Sequence, residues 1–138
     1  MKRLLTAVAV AISGTAVAQD FRQPSPPGAK VYFIEPKDGA EITGPVTVKF
    51  GLTGMGVAPS GVDKKDPGHH HLLVNQKLAD PLAAIPADDT HRHFGAGQTE
   101  TTVTLPAGKH TLQLLLADHQ HIPHNPAVAS DVITITVK

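Results

Sequence analysis

Short segments in which apolar and polar residues alternate recur along this chain. The clearest cover residues 46–52, 112–116 and 133–137, and weaker ones cover 31–34, 70–74 and 99–105. A two-residue period places successive side chains on opposite faces of a β-strand. Proline- and glycine-rich stretches at 36–39, 54–61 and 106–108 separate the segments and are typical of turns.

Helical patterns are scarce, with one or two turns over residues 78–84 as the one candidate. Six or seven short strands and little helix predict an all-β fold. The expected architecture is a single antiparallel β-sandwich, immunoglobulin-like.

The first eighteen residues have the composition of a secretory signal peptide. Lys2 and Arg3 form a basic region, residues 4–12 are apolar, and residues 16–18 resemble a cleavage site. The apolar stretch is shorter than the ~20 residues that a membrane span needs. We therefore expect an exported, periplasmic or secreted protein without a membrane span, with a mature chain that begins at Gln19.

The rest of the chain fits one domain of about 120 residues. Residues 19–28 are rich in proline and polar side chains and predict a disordered tether, which leaves residues 29–138 as the sandwich domain. Without Lys2 and Arg3, ten basic and twelve acidic side chains remain, so nothing favours binding to nucleic acid. The absence of cysteine excludes disulfides and thiolate metal sites.

Histidines are concentrated in the second half of the chain, where three pairs have one residue between their members. Side chains at i and i+2 of an extended backbone project from the same face, so each pair can offer two imidazoles to one point. Imidazole is a good ligand for copper and zinc. The sequence therefore predicts a copper or zinc site, with candidate ligands His69, His71, His91, His93, His119, His121 and His124.

The predicted fold brings these pairs to one end of the sandwich. The strands on either side of the 106–108 turn run in opposite directions, so the start of the first and the end of the second lie at the same pole. If the 70–74 strand runs antiparallel to the 112–116 strand, its start joins them, and all three pairs converge on one rim. His110 would lie a strand length away, ~20 Å, and we expect it to have a structural role at a corner.

Not all of these histidines can bind one metal, because a four-coordinate site needs three or four protein ligands. A histidine at a strand end is also often a plain surface or corner residue. Asp88, Asp89 and Asp118 could accept ring N–H groups behind the ligands, or could simply cap turns. Met55 could be an axial copper ligand or an apolar plug in its loop.

Several motifs give the chain a resemblance to a known family. They are VYFIEP at 31–36, GMGVAP at 54–59, GHHHLL at 68–73, HRHFG at 91–95 and GKHTLQL at 108–114. The sequence from about residue 31 to 138 resembles the domain-of-unknown-function 4399 family. The resemblance implies a small exported bacterial protein with one domain, and it implies no settled activity.

Two functions remain open from the residues. The first is a periplasmic metal-binding protein with a carrier, buffer or resistance role, and the second is an envelope module whose pH-sensitive histidine rim binds a ligand or a protein without metal. A domain in a larger envelope assembly is a third interpretation. A metal-dependent enzyme is less favoured, because no Gly-x-Ser-x-Gly or His-Glu-x-x-His motif is present and no general base stands out.

Overall fold

The structure is a computed structural model that describes residues 19–78 and 80–138. These residues form two β-sheets. The predicted signal peptide, residues 1–18, lies outside these residues. Within them, no helix is long and apolar enough to cross a membrane.

The strands follow one another in short steps along the chain. Their bounds are β1 Lys30–Glu35, β2 Glu41–Ile42, β3 Val46–Thr53, β4 Gly56–Val57, β5 Pro67–Val74, β6 His91–Phe94, β7 Glu100–Val103, β8 Gly108–Ala117 and β9 Ile133–Val137. The six predicted strands correspond to β1, β3, β5, β7, β8 and β9, whereas the short strands β2, β4 and β6 were not predicted. The predicted helical turns are wrong, since one turn closed by the Ala83 N–H on the Asp80 carbonyl, at 3.3 Å, forms there instead.

The sheets face each other as a sandwich, which confirms the predicted all-β fold. The smaller sheet has the order β1-β3-β7 and is antiparallel throughout. The larger has the order β2-β9-β8-β5-β4, with β6 also paired to β5. It is mixed rather than purely antiparallel, because β2 runs parallel to β9 and β4 parallel to β5.

The core between the sheets is built from the apolar positions of the alternating segments. Val46, Val48 and Phe50 of β3 are buried against alternate leucines of β8 and alternate residues of β9. Burial of such side chains stabilises each by roughly 1.5–3 kcal/mol relative to exposure. The alternation that predicts these strands is therefore the pattern that forms the core.

Strand β5 differs from the others because it is buried on both faces from Gly68 to Val74. Leu72 and Val74 face the main core, whereas Leu73 belongs to a second apolar cluster with Ile85, Leu115 and Ala117. The second cluster lies on the outer face of the six-stranded sheet, beneath the segment that joins β5 to β6. That segment creates a covered outer face beside the histidines of β5.

Residues 19–28 contact the loop that follows β8. Pro24 forms a parallel bridge with Asn125, and the Asn125 side-chain amide donates to Asp20 Oδ2 at 2.8 Å. The domain boundaries at residues 18 and 28 stay predictions.

The buried leucines of β8 give a test of the core. Replacing Leu114, which is fully buried, by alanine is expected to lower the free energy of unfolding by about 2–5 kcal/mol, because a cavity forms between the sheets. The matched control is Leu82→Ala, whose side chain is 59% exposed and whose loss should change stability by less than about 0.5 kcal/mol. Urea unfolding measures both. Equal losses would contradict the packing.

Candidate metal centre

Four imidazole rings converge on the outer face of the six-stranded sheet. They belong to His69, His71, His93 and His121, and one ring nitrogen of each lies within 4.8 Å of those of the other three. The ring centroids are 4.6–5.9 Å apart. His69 and His71 are fully buried, and His93 and His121 are partly exposed. We call these four residues the histidine cluster.

Three members of the cluster are positioned by strands. His69 and His71 project from the same face of β5 because they are two residues apart. His93 of β6 is the antiparallel partner of His71, so its ring lies beside that of His71. The neighbouring outer-face residues are Leu115, which pairs with His71, and Ala117, which pairs with His69.

His121 reaches the cluster from the loop that follows β8. Its backbone has φ +65°, a left-handed conformation that is uncommon for a residue with a side chain. The carbonyl of His121 accepts the Ile85 N–H at 2.8 Å. The loop after β8 and the β5–β6 segment are therefore joined directly beside the cluster.

The predicted convergence of histidine pairs is found, but its form differs from the prediction. The start of β5 and the end of β8 lie at one pole, as expected, because the two strands are antiparallel. The cluster, however, is a covered site on the outer face of the sheet and not an exposed rim. The unpredicted strand β6 and the covering segment account for the burial.

Hydrogen bonds alone cannot satisfy the contacts within the cluster. His69 Nε2 lies 2.9 Å from His71 Nε2 and 3.0 Å from His121 Nδ1. An imidazole nitrogen carries either one proton or one lone pair, so it makes at most one good hydrogen bond in the ring plane. One of the two contacts is therefore unpaired, whereas a cation can accept lone pairs from all the nitrogens together.

Three of the rings, those of His69, His71 and His93, are held in the neutral form. Burial, reinforced by the neighbouring rings, lowers the pKa of His71 to about 2. Burial, with repulsion from His93 and His121, lowers the pKa of His69 to about 4, although the Asp118 carboxylate acts in the opposite direction. The pKa of His93 is also lowered, mainly by burial. At neutral pH these nitrogens present lone pairs, which is the form that binds metal.

His91, a predicted ligand, lies outside the cluster. Its Nδ1 is 2.9 Å from Asp88 Oδ1, which also accepts the N–H groups of Thr90 and His91. These hydrogen bonds hold the pKa of Asp88 well below its ordinary value, and the bond to the His91 ring has the largest effect. His91 and His93 share a face of β6, and only His93 stands opposite His71.

Two further predicted ligands, His119 and His124, are also outside the cluster. His119 Nδ1 lies 3.3 Å from Gln23 Nε2 and 3.7 Å from Asp63 Oδ1, which ties its loop to the N-terminal segment. His124 is fully buried, and burial lowers its pKa.

The two remaining histidines of the domain have other surroundings. His70 points into the main core, where its ring packs on Phe50 with centroids 4.9 Å apart, and burial lowers its pKa to about 4. His110 Nε2 donates to the Pro106 carbonyl at 2.7 Å, and its Nδ1 accepts the Asn75 amide. This corner is the structural role expected for His110.

For the acidic residues and Met55, the sequence left open both a supporting role at the metal and a purely local role. In residues 19–78 and 80–138, no carboxylate is hydrogen-bonded to a ring of the cluster, since Asp88 bonds to His91 and Asp118 to backbone N–H groups. Asp89 offers its carbonyl to Arg92. Met55 packs partly buried against the main core, as expected of a loop plug.

Comparison with protein families identifies the chain. The family described as "Domain of unknown function (DUF4399)" matches residues 48–138. The chain belongs to this family. The match begins later than residue 31 and includes all four members of the cluster, so the DUF4399 region contains the candidate site.

Other comparisons add little about function. No curated protein matches the chain. One similar solved structure is the endo-β-1,4-mannanase from Thermotoga petrophila, which is 21% identical with a TM-score of 0.47. The alignment covers 80% of this chain and 20% of the mannanase, so the chain spans about a fifth of that enzyme. At this level of likeness the activity of the mannanase does not transfer to the DUF4399 protein.

Gly95 leaves space for the His93 ring. A Cβ added at Gly95 would lie 2.4 Å from His93 Cε1 and 2.7 Å from its Nε2. We expect Gly95→Ala to displace the ring and to weaken zinc or copper binding by about tenfold or more. The control is Gly56→Ala, where an added Cβ meets nothing within 4 Å. Calorimetric titration of both variants makes the comparison, and unchanged affinity in Gly95→Ala would argue against the position of His93.

Stability of the metal-free protein should fall in acid because of the buried rings. His69, His70, His71, His93 and His124 have lowered pKa values in the folded state, but titrate near pH 6.5 when unfolded. From about pH 6.5 down to about 4 the unfolded chain binds protons that the folded chain does not, so the free energy of unfolding decreases as pH falls. Each ring contributes up to about 1.4 kcal/mol per pH unit.

Urea midpoints of chelator-treated protein at pH 7.5, 6.0 and 5.0 measure this dependence. Replacing His70 by leucine should make it shallower, because one titrating ring is removed from the core. The carboxylates with lowered pKa values, Asp20 and Asp88, act at lower pH, below about 4. Equal midpoints at pH 7.5 and 5.0 would show that the rings are not buried as described.

Proposed function

We propose that this protein binds one copper or zinc ion between His69, His71, His93 and His121 and acts in the periplasm as a carrier, buffer or resistance factor. The observation that carries the proposal is the convergence of four imidazole nitrogens within 4.8 Å of one another. Copper and zinc are the ions for which an all-imidazole site is suited. The family has no known function and supplies no activity, so the support for the proposal comes from the site itself.

The protonation state of the cluster supports metal binding. Burial lowers the pKa values of His69, His71 and His93, so a metal ion at neutral pH displaces few protons from these rings. The cluster also brings together lone pairs that cannot all be hydrogen-bonded. A bound cation would accept the lone pair that has no hydrogen-bond donor, and it would remove the repulsion between neighbouring lone pairs.

The two shortest distances from His69 are compatible with either ion. Ligand nitrogens at about 2.0–2.1 Å from an ion are roughly 3.3–3.4 Å apart in a tetrahedral site and roughly 2.9 Å apart at a right angle. The corresponding separations from His69 Nε2 are 2.9 and 3.0 Å. Tetrahedral zinc needs these two pairs to open by a few tenths of an ångström, and any pair near the 4.8 Å limit of the cluster to close.

The burial of the cluster also favours an ion over a macromolecule. His69 and His71 are 1% and 0% exposed, so neither can contact a protein partner directly. A pH-sensitive binding surface would need exposed rings that titrate near pH 6.5. The proposed periplasmic location rests on the signal peptide predicted from residues 1–18.

Titration of the chelator-treated protein with copper(II) and zinc(II) at pH 7.5 tests the proposal. We expect one equivalent to bind with a dissociation constant of about 1 µM or lower. Replacing His71 by leucine keeps an apolar side chain in the buried position and removes a ligand, so affinity should fall by about 100-fold or more. His121→Ala, in a partly exposed loop, is a second ligand variant with less effect on folding.

The chain offers matched controls for these variants. His91 and His119 are the members of their pairs that lie outside the cluster. His91→Ala and His119→Ala should therefore leave the stoichiometry and affinity of metal binding unchanged. Circular dichroism checks the fold of each variant. Absence of uptake by the wild-type protein, or equal losses in His91→Ala and His71→Leu, would refute the proposed site.

A further inference from the structure

The least ordinary backbone in the cluster belongs to His121. A residue with φ +65° is held against its own steric preference, so the surrounding contacts must stabilise it. The other three members lie on strands whose ladder hydrogen bonds fix their directions. The position of the fourth ring therefore depends on the loop after β8.

The Asp118 side chain organises that loop. Its Oδ1 accepts the N–H groups of Gln120 at 2.8 Å and of Ile122 at 3.0 Å, the residues on either side of His121. The backbone of Asp118 adds two bonds, since its carbonyl accepts the His121 N–H at 3.0 Å and its N–H donates to the Ile122 carbonyl at 2.9 Å. One residue thus clamps the whole turn that carries the ring.

Asp118 is also a buried carboxylate on the chain segment that leads from β8 to His121. It is 3% exposed and follows Ala117, the strand partner of His69. Within residues 19–78 and 80–138 no lysine or arginine forms an ion pair with it. An ion bound by four uncharged imidazoles would have this carboxylate as a buried source of compensating charge.

We propose that Asp118 is a positioning residue of the metal centre, which holds His121 in place through its loop and offsets the charge of the bound ion. The inference rests on the proposed function, and it assigns Asp118 a role through backbone and charge rather than through a bond to a ring. Asp118 would thus contribute through its hydrogen bonds to the loop and through its charge, and different substitutions remove these two contributions. Asparagine keeps the Oδ1 acceptor and loses the charge, whereas alanine loses both.

The experiment compares Asp118→Asn and Asp118→Ala in the full protein. We expect Asp118→Asn to keep the four-nitrogen electron paramagnetic resonance signature of bound copper(II), and to bind zinc(II) about tenfold more weakly. Its affinity for silver(I), which carries one charge less, should fall by a smaller factor. Asp118→Ala should bind zinc(II) about 100-fold more weakly and show three nitrogen ligands to copper(II).

Asp88→Asn is the matched control. Asp88 Oδ1 accepts two backbone N–H groups in a turn beside His91, so it resembles Asp118 in chemistry but lies next to a ring outside the cluster. This variant should bind metal as the wild-type protein does. A loss equal to that of Asp118→Asn would overturn the assignment.

The outcomes also distinguish this inference from the proposed function. If the wild-type protein binds no metal, the proposed function fails. The positioning role is then tested in the metal-free protein through the backbone chemical shifts of His121. These shifts should change in Asp118→Ala and stay the same in Asp118→Asn. Wild-type affinity and four-nitrogen coordination in Asp118→Ala would overturn the inference. If Asp118→Ala does not fold, an unchanged zinc(II) affinity in Asp118→Asn overturns it.

Discussion

Burial of β5 on both faces is the constraint on which the rest of this structure depends. One face of the strand carries His70, Leu72 and Val74 into the main core, and the other turns His69 and His71 outward. The outward face must be covered, because a strand flanked by apolar Leu115 and Ala117 is otherwise left partly in water. The β5–β6 segment and the loop after β8 provide that cover, and both lie beside the rings.

Covering the histidines changes their chemistry. Rings that would titrate near pH 6.5 in water stay neutral, since burial penalises the charged form. Neutral rings crowded within one small volume leave lone pairs that hydrogen bonds cannot fully use. The proposal of a metal ion follows from this combination of burial and crowding, and neither property alone would support it.

The sequence predicted six of the nine strands that the structure describes, and its seven candidate ligands included all four members of the cluster. Alternation identified β3, β8 and β9 because their inner faces are uniformly apolar, and the antiparallel arrangement of β5 and β8 followed from chain direction. The pair spacing correctly put His69 and His71 on one face. It could not separate His93 from His91, because both share a face of β6 and only the register against β5 distinguishes them. Nor does any spacing rule reveal that His121 adopts a left-handed backbone.

The pairing of His71 with His93 has a consequence for assembly. Strand β6 has four residues and, among the residues that the structure describes, pairs with β5 alone, so it forms an outer edge of its sheet. An ion bound by both side chains would link β6 to β5. If the ion were lost, β6 would separate more readily from β5. The backbone N–H and C=O groups of the apolar strand β5 would then be exposed to other molecules, and such exposed strand edges lead to edge-to-edge aggregation. Metal supply would then govern how long the folded chain resists such association.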